Sequence, residues 1–146
     1  MATQTFSRSL PMMLYRALDA VMPRFRRIFN EFGLTEQQWR VLRVLWEHEE
    51  IAFRELSEIT LIPAPSLVGV VDRLAMQGLV ARRRSDKDRR NVFVQATEKG
   101  ADLHRRVRPQ VAAAYAELRE SIDADEWRNL IDGLEQIASL NQHQTE

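Results

Sequence analysis

The hydrophobic period changes partway along this chain, and the change restricts which folds are open to it. Over residues 35–77 apolar side chains recur at the three- and four-residue steps of helices; over 79–96 they alternate, as in strands. Three short helices are expected first. One follows Thr35, which with Gln38 has the residue pattern of a capping box, and carries Trp39, Leu42, Val44, Leu45 and Trp46 as its apolar set. A second covers 53–60. Residues 61–64 (LIPA) break the pattern, and a third helix over 65–77 is stopped by Gly78. Pro63 and Pro65 suit a helix start, because first-turn residues donate no intrahelical bond. Strands are expected over 79–84 and 91–96, joined by the polar turn Ser85-Asp86-Lys87-Asp88-Arg89-Arg90. Helix, turn, helix, then a basic hairpin is the order of a winged helix-turn-helix.

The flanks read as longer helices. Leu10, Leu14, Ala17, Val21, Phe25, Ile28 and Phe32 form one stripe, with Pro23 expected to kink or split the helix and Gly33 to end it. Thr97 is placed to cap a helix carrying Leu103, Val107, Val111, Ala114, Leu118 and Ile122, bent at Pro109. Asp123 and Glu126 suggest another capping box, ahead of Trp127, Leu130, Leu134 and Ile137. Residues 1–8 read as a flexible tail, 9–33 as an N-terminal dimerisation helix, 34–97 as the winged helix-turn-helix and 98–146 as C-terminal dimerisation helices, in one compact chain. The expected fold is mostly α with a small β-hairpin wing. Two long terminal helices with unpartnered apolar stripes favour a homodimer over two unrelated tails.

Composition removes several function classes. The 146 residues contain no cysteine, which excludes disulfides, thiolate metal sites and thiol redox switches. No apolar run approaches the ~18 residues of a membrane span, and the short run between Arg8 and Arg16 is not a signal peptide; the expectation is a cytoplasmic protein. The three histidines (His48, His104, His143) are scattered, so neither a metal site nor a cofactor is expected. Catalytic motifs are missing too: no Gly-rich phosphate loop, no nucleophile elbow. Lys plus Arg equals Asp plus Glu, 21 each, yet the charges are segregated. Residues 79–92 hold six basic side chains against two acidic, and 117–146 hold eight acidic against two basic. An arginine run can be a solvated face; one on a hairpin beside a helix-turn-helix points to DNA.

The residues that carry a family resemblance are Leu56, Ser66-Leu67-Val68-Gly69-Val70-Val71-Asp72-Arg73-Leu74, Gly78-Leu79-Val80-Ala81-Arg82, Asp86-Lys87-Asp88-Arg89-Arg90 and Thr97-Glu98-Lys99-Gly100. They resemble the MarR family of bacterial transcriptional regulators over nearly the whole chain. Within it, Ser9-Leu10 and Leu34-Thr35-Glu36-Gln37-Gln38-Trp39-Arg40-Val41 are similar to the subgroup that regulates homoprotocatechuate degradation. The resemblance implies a homodimeric repressor on a pseudo-palindromic double-stranded operator, released by a small phenolic or aromatic carboxylate. Arg90 would enter the minor groove, with Asp88 orienting it or bracing the wing, or serving only as a turn residue. Lys87 and Arg89 would meet phosphates, and Arg84 belongs to the same DNA-binding set. On the recognition helix the contact candidates are Pro63, Ala64, Pro65, Ser66, Leu67, Gly69, Val70 and Arg73; the prolines have a simpler role in fixing the turn, and Arg73 has Asp72 or the wing as alternative partners. Effector candidates are Ser9, Met13, Arg16, Trp39, Arg40, Arg43 and His48, where an arginine fork would suit a carboxylate and an indole an aromatic ring. Trp39 as core and the arginines as surface is the competing view. Two other functions stay open: a winged-helix protein-interaction module, and a DNA-binding regulator with no effector.

Overall fold

Helix α1 (Leu10–Glu31) buries only one end: Phe25, Ile28 and Phe29 are covered, whereas Leu10, Met13, Leu14, Tyr15 and Leu18 are exposed. The structure, a computed structural model, describes residues 5–143. The first half of the expected tail, residues 1–4, lies outside the described residues, and Phe6–Arg8 form a single 3-10 turn. Pro23 does not split α1. A proline removes one backbone donor and crowds one carbonyl, and the turns on either side carry the helix through. Gly33 stops it at φ 67°, with Leu34 N donating to Phe29 O at 2.9 Å and Gly33 N to Asn30 O at 3.1 Å. That is a Schellman cap, which needs a left-handed residue.

Thr35 and Gln38 form the expected reciprocal box at the start of α2 (Glu36–Leu45): Gln38 N donates to Thr35 Oγ1 at 3.1 Å, and Thr35 N to Gln38 Oε1 at 3.0 Å. Helices α3 (Phe53–Thr60) and α4 (Ala64–Met76) cross at 105°, within the range of a helix-turn-helix. Leu61 at φ 56° makes the corner, and Ser57 Oγ donates to Ile62 O at 2.7 Å across it. Ile62 is buried, as are Leu67, Val70, Val71 and Leu74 on the inner face of α4, and Val41, Leu42 and Leu45 on α2. Each such aliphatic side chain contributes about 1.5–3 kcal/mol when fully buried. Among the described residues no single helix is long and apolar enough to cross a membrane.

The sheet has three strands, not two: β1 (Ile51–Ala52), β2 (Val80–Arg84) and β3 (Val92–Ala96), in the antiparallel order β1-β3-β2. Pairing runs from Val80↔Ala96 to Arg84↔Val92, and Ile51 faces Val94. A two-residue strand is too short to display alternation, so β1 left no sequence signal. At the hairpin base, Thr97 Oγ1 accepts from Gly100 N at 3.2 Å, and Trp46 Nε1 donates to Gly100 O at 3.1 Å. A Cβ at Gly100 would sit 2.3 Å from Leu79 O, so only glycine allows this approach.

Helix α5 (Glu98–Glu120) is continuous past Pro109, for the reason given at Pro23. Two compact units make up the chain, divided between Gln110 and Val111. In the second, Val111, Ala114 and Leu118 are the buried positions of α5. Asp123 caps α6 (Ala124–Ala138) by accepting from Asp125 N at 2.9 Å, the donor one residue before the expected partner position. Leu130, Ile131 and Leu134 on α6 are exposed.

Candidate nucleic-acid interface

The inner stripe of α4 decides which of its side chains can meet a partner. Leu67 and Val70, expected as contacts, are 0% and 1% exposed. They point into the core and are withdrawn from the contact set, because a duplex cannot reach them. The outer face carries Pro63, Ala64, Pro65 and Ser66 at the helix start, then Val68, Gly69, Asp72 and Arg73. Val68, absent from the expected set, is 49% exposed. The same three-four spacing that marks Leu67, Val70, Val71 and Leu74 as core would have pointed to it. Arg73 pairs with neither Asp72 nor the wing; its guanidinium lies over Gly69, 3.5 Å from where a Cβ would stand.

Beside α4 the wing encloses a recess of about 640 Å³. Phe53, Val68, Val71 and Val92 give it apolar walls, and the guanidinium groups of Arg54, Arg82, Arg84 and Arg90 line its rim, Arg54 paired with Glu58 and Arg82 with Asp72. Arg54 and Arg82 are further members that the sequence reading did not single out. Arg54 lies on a separate helix, α3, and joins the site only through the fold, whereas Arg82 reads along the chain only as part of the basic run.

The wing turn is built by its own side chains. Ser85 N donates to Asn91 O at 2.9 Å, and Asn91 N donates to Asp88 O at 2.9 Å. Ser85 Oγ accepts from Lys87 N at 3.3 Å and from Asp88 N at 3.4 Å. Asp88 is a turn residue that also pairs with Arg90. Its carboxylate accepts Arg90 N at 3.1 Å, closing the turn, and pairs with the Arg90 guanidinium at 3.2 Å. The Arg90 side chain is nonetheless 91% exposed. Arg84 Nη1 donates to Arg89 O at 3.1 Å. Arg82 and Arg83 are neutralised by acids outside the wing, Asp72 and Glu50 respectively. That leaves Arg84, Lys87, Arg89 and Arg90 against Asp86 and Asp88 as the wing's own charge. The basic surface is therefore concentrated at the tip, where phosphates are reached first.

The effector candidates fall into two groups. Met13 and Arg16 meet near the start of α1, with Arg16 Nη1 3.4 Å from Ser7 O and 3.9 Å from Met13 Sδ, whereas Ser9 Oγ donates to Phe6 O at 2.9 Å. Trp39, Arg40 and Arg43 lie on α2, and His48 follows it. Trp39 is half-buried, stacked on Phe29 at 4.8 Å and edge-on to Trp46 at 5.5 Å. Arg40 Nη1 donates to Thr60 O at 2.9 Å, so it holds the C-terminus of α3. Arg43 pairs with Glu47 at 2.7 Å, and His48 Nδ1 lies 2.9 Å from Val44 O.

The aromatic row continues to His104, whose ring stacks on Trp46 at 4.4 Å. Burial chiefly, then the Arg108 and Arg43 charges, push its pKa below the usual histidine value. A depressed pKa means that the folded state resists the proton. The stability it supplies is thus present above the unfolded value of ~6.5 and lost as pH falls through the folded one. We expect Tm to drop more between about pH 7.5 and about pH 5.5 in the wild type than in His104→Phe, which keeps the stack without the titration. Equal drops in both proteins would remove His104 from the account.

Comparison with known proteins agrees with this geometry. A family model described as the MarR family matches residues 32–91. The chain is 33% identical over 140 residues to the HTH-type transcriptional regulator FarR of Neisseria gonorrhoeae, covering 96% of each. It is 33% identical over 138 residues to the homoprotocatechuate degradative operon repressor of Escherichia coli, covering 94% of this chain and 93% of that one. The solved structure of NadR in complex with 4-hydroxyphenylacetate superposes with a TM-score of 0.81 at 34% identity, over 96% of this chain and 99% of that one. With a helix-turn-helix crossing at 105°, a basic wing beside it and relatives matched from end to end, this chain belongs to the MarR family of DNA-binding transcriptional regulators.

Proposed function

We propose that the protein is a cytoplasmic, homodimeric repressor that leaves a pseudo-palindromic operator when a small phenolic or aromatic carboxylate binds. The observation that carries the DNA half is the exposed face of α4 lying beside the arginine-rimmed recess and the wing tip. A helix fits the major groove and its first turns meet base edges, so Ser66, Val68, Gly69 and Arg73 read sequence while Pro63, Ala64 and Pro65 shape the approach. Arg90 enters the minor groove, and Arg84, Lys87 and Arg89 hold phosphates. Two copies would place their α4 helices about 34–36 Å apart, one helical turn of DNA.

Support for the dimer comes from apolar side chains left uncovered in each unit: Leu10, Met13, Leu14 and Leu18 on α1, and Leu130, Ile131 and Leu134 on α6. A second copy would bury them. The effector half draws on NadR, whose structure holds 4-hydroxyphenylacetate. On this chain the Trp39 ring and the Arg43 cation offer an aromatic wall and a carboxylate partner, with Arg40 and His48 on the same segment; Ser9, Met13 and Arg16 form the second group, at the start of α1. Release follows if the ligand favours a dimer whose α4 spacing no longer fits DNA. The proposal assigns the chain no catalytic step.

The test is a binding titration on the DNA upstream of the gene, with and without 4-hydroxyphenylacetate, paired with thermal unfolding. Ligand at a hundredfold over Kd is expected to stabilise the fold by about 2.7 kcal/mol and to release the duplex. DNA binding that persists unchanged with millimolar ligand, alongside an unmoved Tm, would leave a regulator without this effector.

A further inference from the structure

Successive side chains on a strand leave on opposite faces. On β2 this sends the neighbours Arg82 and Arg83 in opposite directions, and each ends on a carboxylate outside the wing. Arg82 pairs with Asp72 on α4. Arg83 is gripped by Glu50, immediately before β1, through Nε to Oε2 at 3.1 Å and Nη2 to Oε1 at 2.6 Å. Its guanidinium also stands 4.9 Å over the Phe93 ring of β3. The Arg83 hydrogen bonds hold the Glu50 carboxyl below its ordinary range, so that pair stays ionised near neutrality.

The base of the wing is anchored: Val80 and Val94 are buried, and Thr97 Oγ1 donates to Gly78 O at 2.5 Å. Beyond the β2–β3 ladder, it is tied to the rest of the sheet only by the two-residue β1, through Ile51↔Val94 and Ala52↔Phe93. Past Arg84 and Val92 the turn projects without a neighbouring strand. A small swing of this projecting turn would therefore displace Arg90 relative to the outer face of α4. We infer that Asp72 and Glu50 are positioning residues for DNA binding, bracing β2 from its two faces so that the wing tip and the recognition helix meet the duplex in one fixed relation. The inference rests on the DNA-binding reading above.

Charge alone predicts the opposite behaviour. A carboxylate near a DNA-binding face repels phosphates, so neutralising it should tighten binding. The experiment measures DNA affinity against salt for the full-length dimer carrying Asp72→Asn, Glu50→Gln, Arg82→Gln, or the exchanged pair Asp72→Arg with Arg82→Asp. Each single variant is expected to bind about two- to fivefold more weakly, the range of a partly exposed ion pair, with Tm and salt slope held. Asp72→Asn and Arg82→Gln should not add when combined, and the exchanged pair should regain much of the loss. Tighter binding by Asp72→Asn or Glu50→Gln overturns the proposal. So does an Arg82→Gln loss accompanied by a shallower salt slope, which marks a phosphate contact. Wild-type protein that binds no duplex at all would bring down the underlying DNA-binding reading, and the proposal with it.

Discussion

Arg90→Ala is expected to weaken DNA binding by about 1–3 kcal/mol per wing, roughly five- to 150-fold. The Arg90 side chain is 91% exposed, and its hold on Asp88 is a surface pair at 3.2 Å. Such pairs are worth about 0–1 kcal/mol, so the guanidinium is free to exchange this carboxylate for the negative potential of a narrow minor groove. Removing it has a second cost, because Asp88 would then face DNA without its counter-charge. The salt dependence should fall by about one charge per wing if Arg90 displaces counterions. Arg90→Lys separates charge from shape: a lysine keeps the charge but lacks the planar fork, so the slope should survive while part of the affinity is lost. Fluorescence anisotropy on one duplex across a salt series measures both quantities. An Arg90→Ala protein with unchanged affinity and slope would take the wing tip out of the interface.

Leu67→Ala is expected to act on stability instead, lowering it by about 2–5 kcal/mol. Leu67 is fully buried on α4, among Val70, Val71 and Leu74 on the same face. Truncation removes burial energy and leaves a cavity that the neighbouring helices fill only partly. In a chain of this size that corresponds to a fall in Tm on the order of ten degrees. Ser66→Ala, one residue away and exposed, is expected to change stability by less than about 0.5 kcal/mol while weakening DNA binding. Urea unfolding and DNA binding, read below both transitions, distinguish the pair. A Leu67→Ala protein of normal stability but altered sequence preference would return Leu67 to the interface.

These two neighbours show how far the sequence could be followed. Helix positions were legible because their periods and caps are local: Thr35 with Gln38, Gly33, and Gly78 at φ 75° all act within a turn of themselves. The strands over 79–84 and 91–96 came within one residue of the observed β2 and β3, since alternation is also local. Facing was less secure. Leu67 and Val70 sit in a run that reads as one recognition helix; their spacing with Val71 and Leu74 marks the inward side, and assigning contacts by position along the helix instead of by face puts both in the contact set. The two-residue β1 and the membership of Arg54 in the recess depend on distant segments meeting, which no local pattern records.

The sequence by itself determined the order of elements, the family, the acid-rich C-terminal zone and the basic turn with its Asp88–Arg90 pair, because each depends on residues a few positions apart. Tertiary structure decided which of the arginines are available. Arg82 and Arg83 look equivalent to Arg84, Arg89 and Arg90 along the chain, yet strand alternation and the approach of Asp72 and Glu50 bind the first two internally. Ion pairing falls off with distance in space, and Asp72 and Glu50 are ten and thirty-three residues from their partners, a separation that only the folded chain closes.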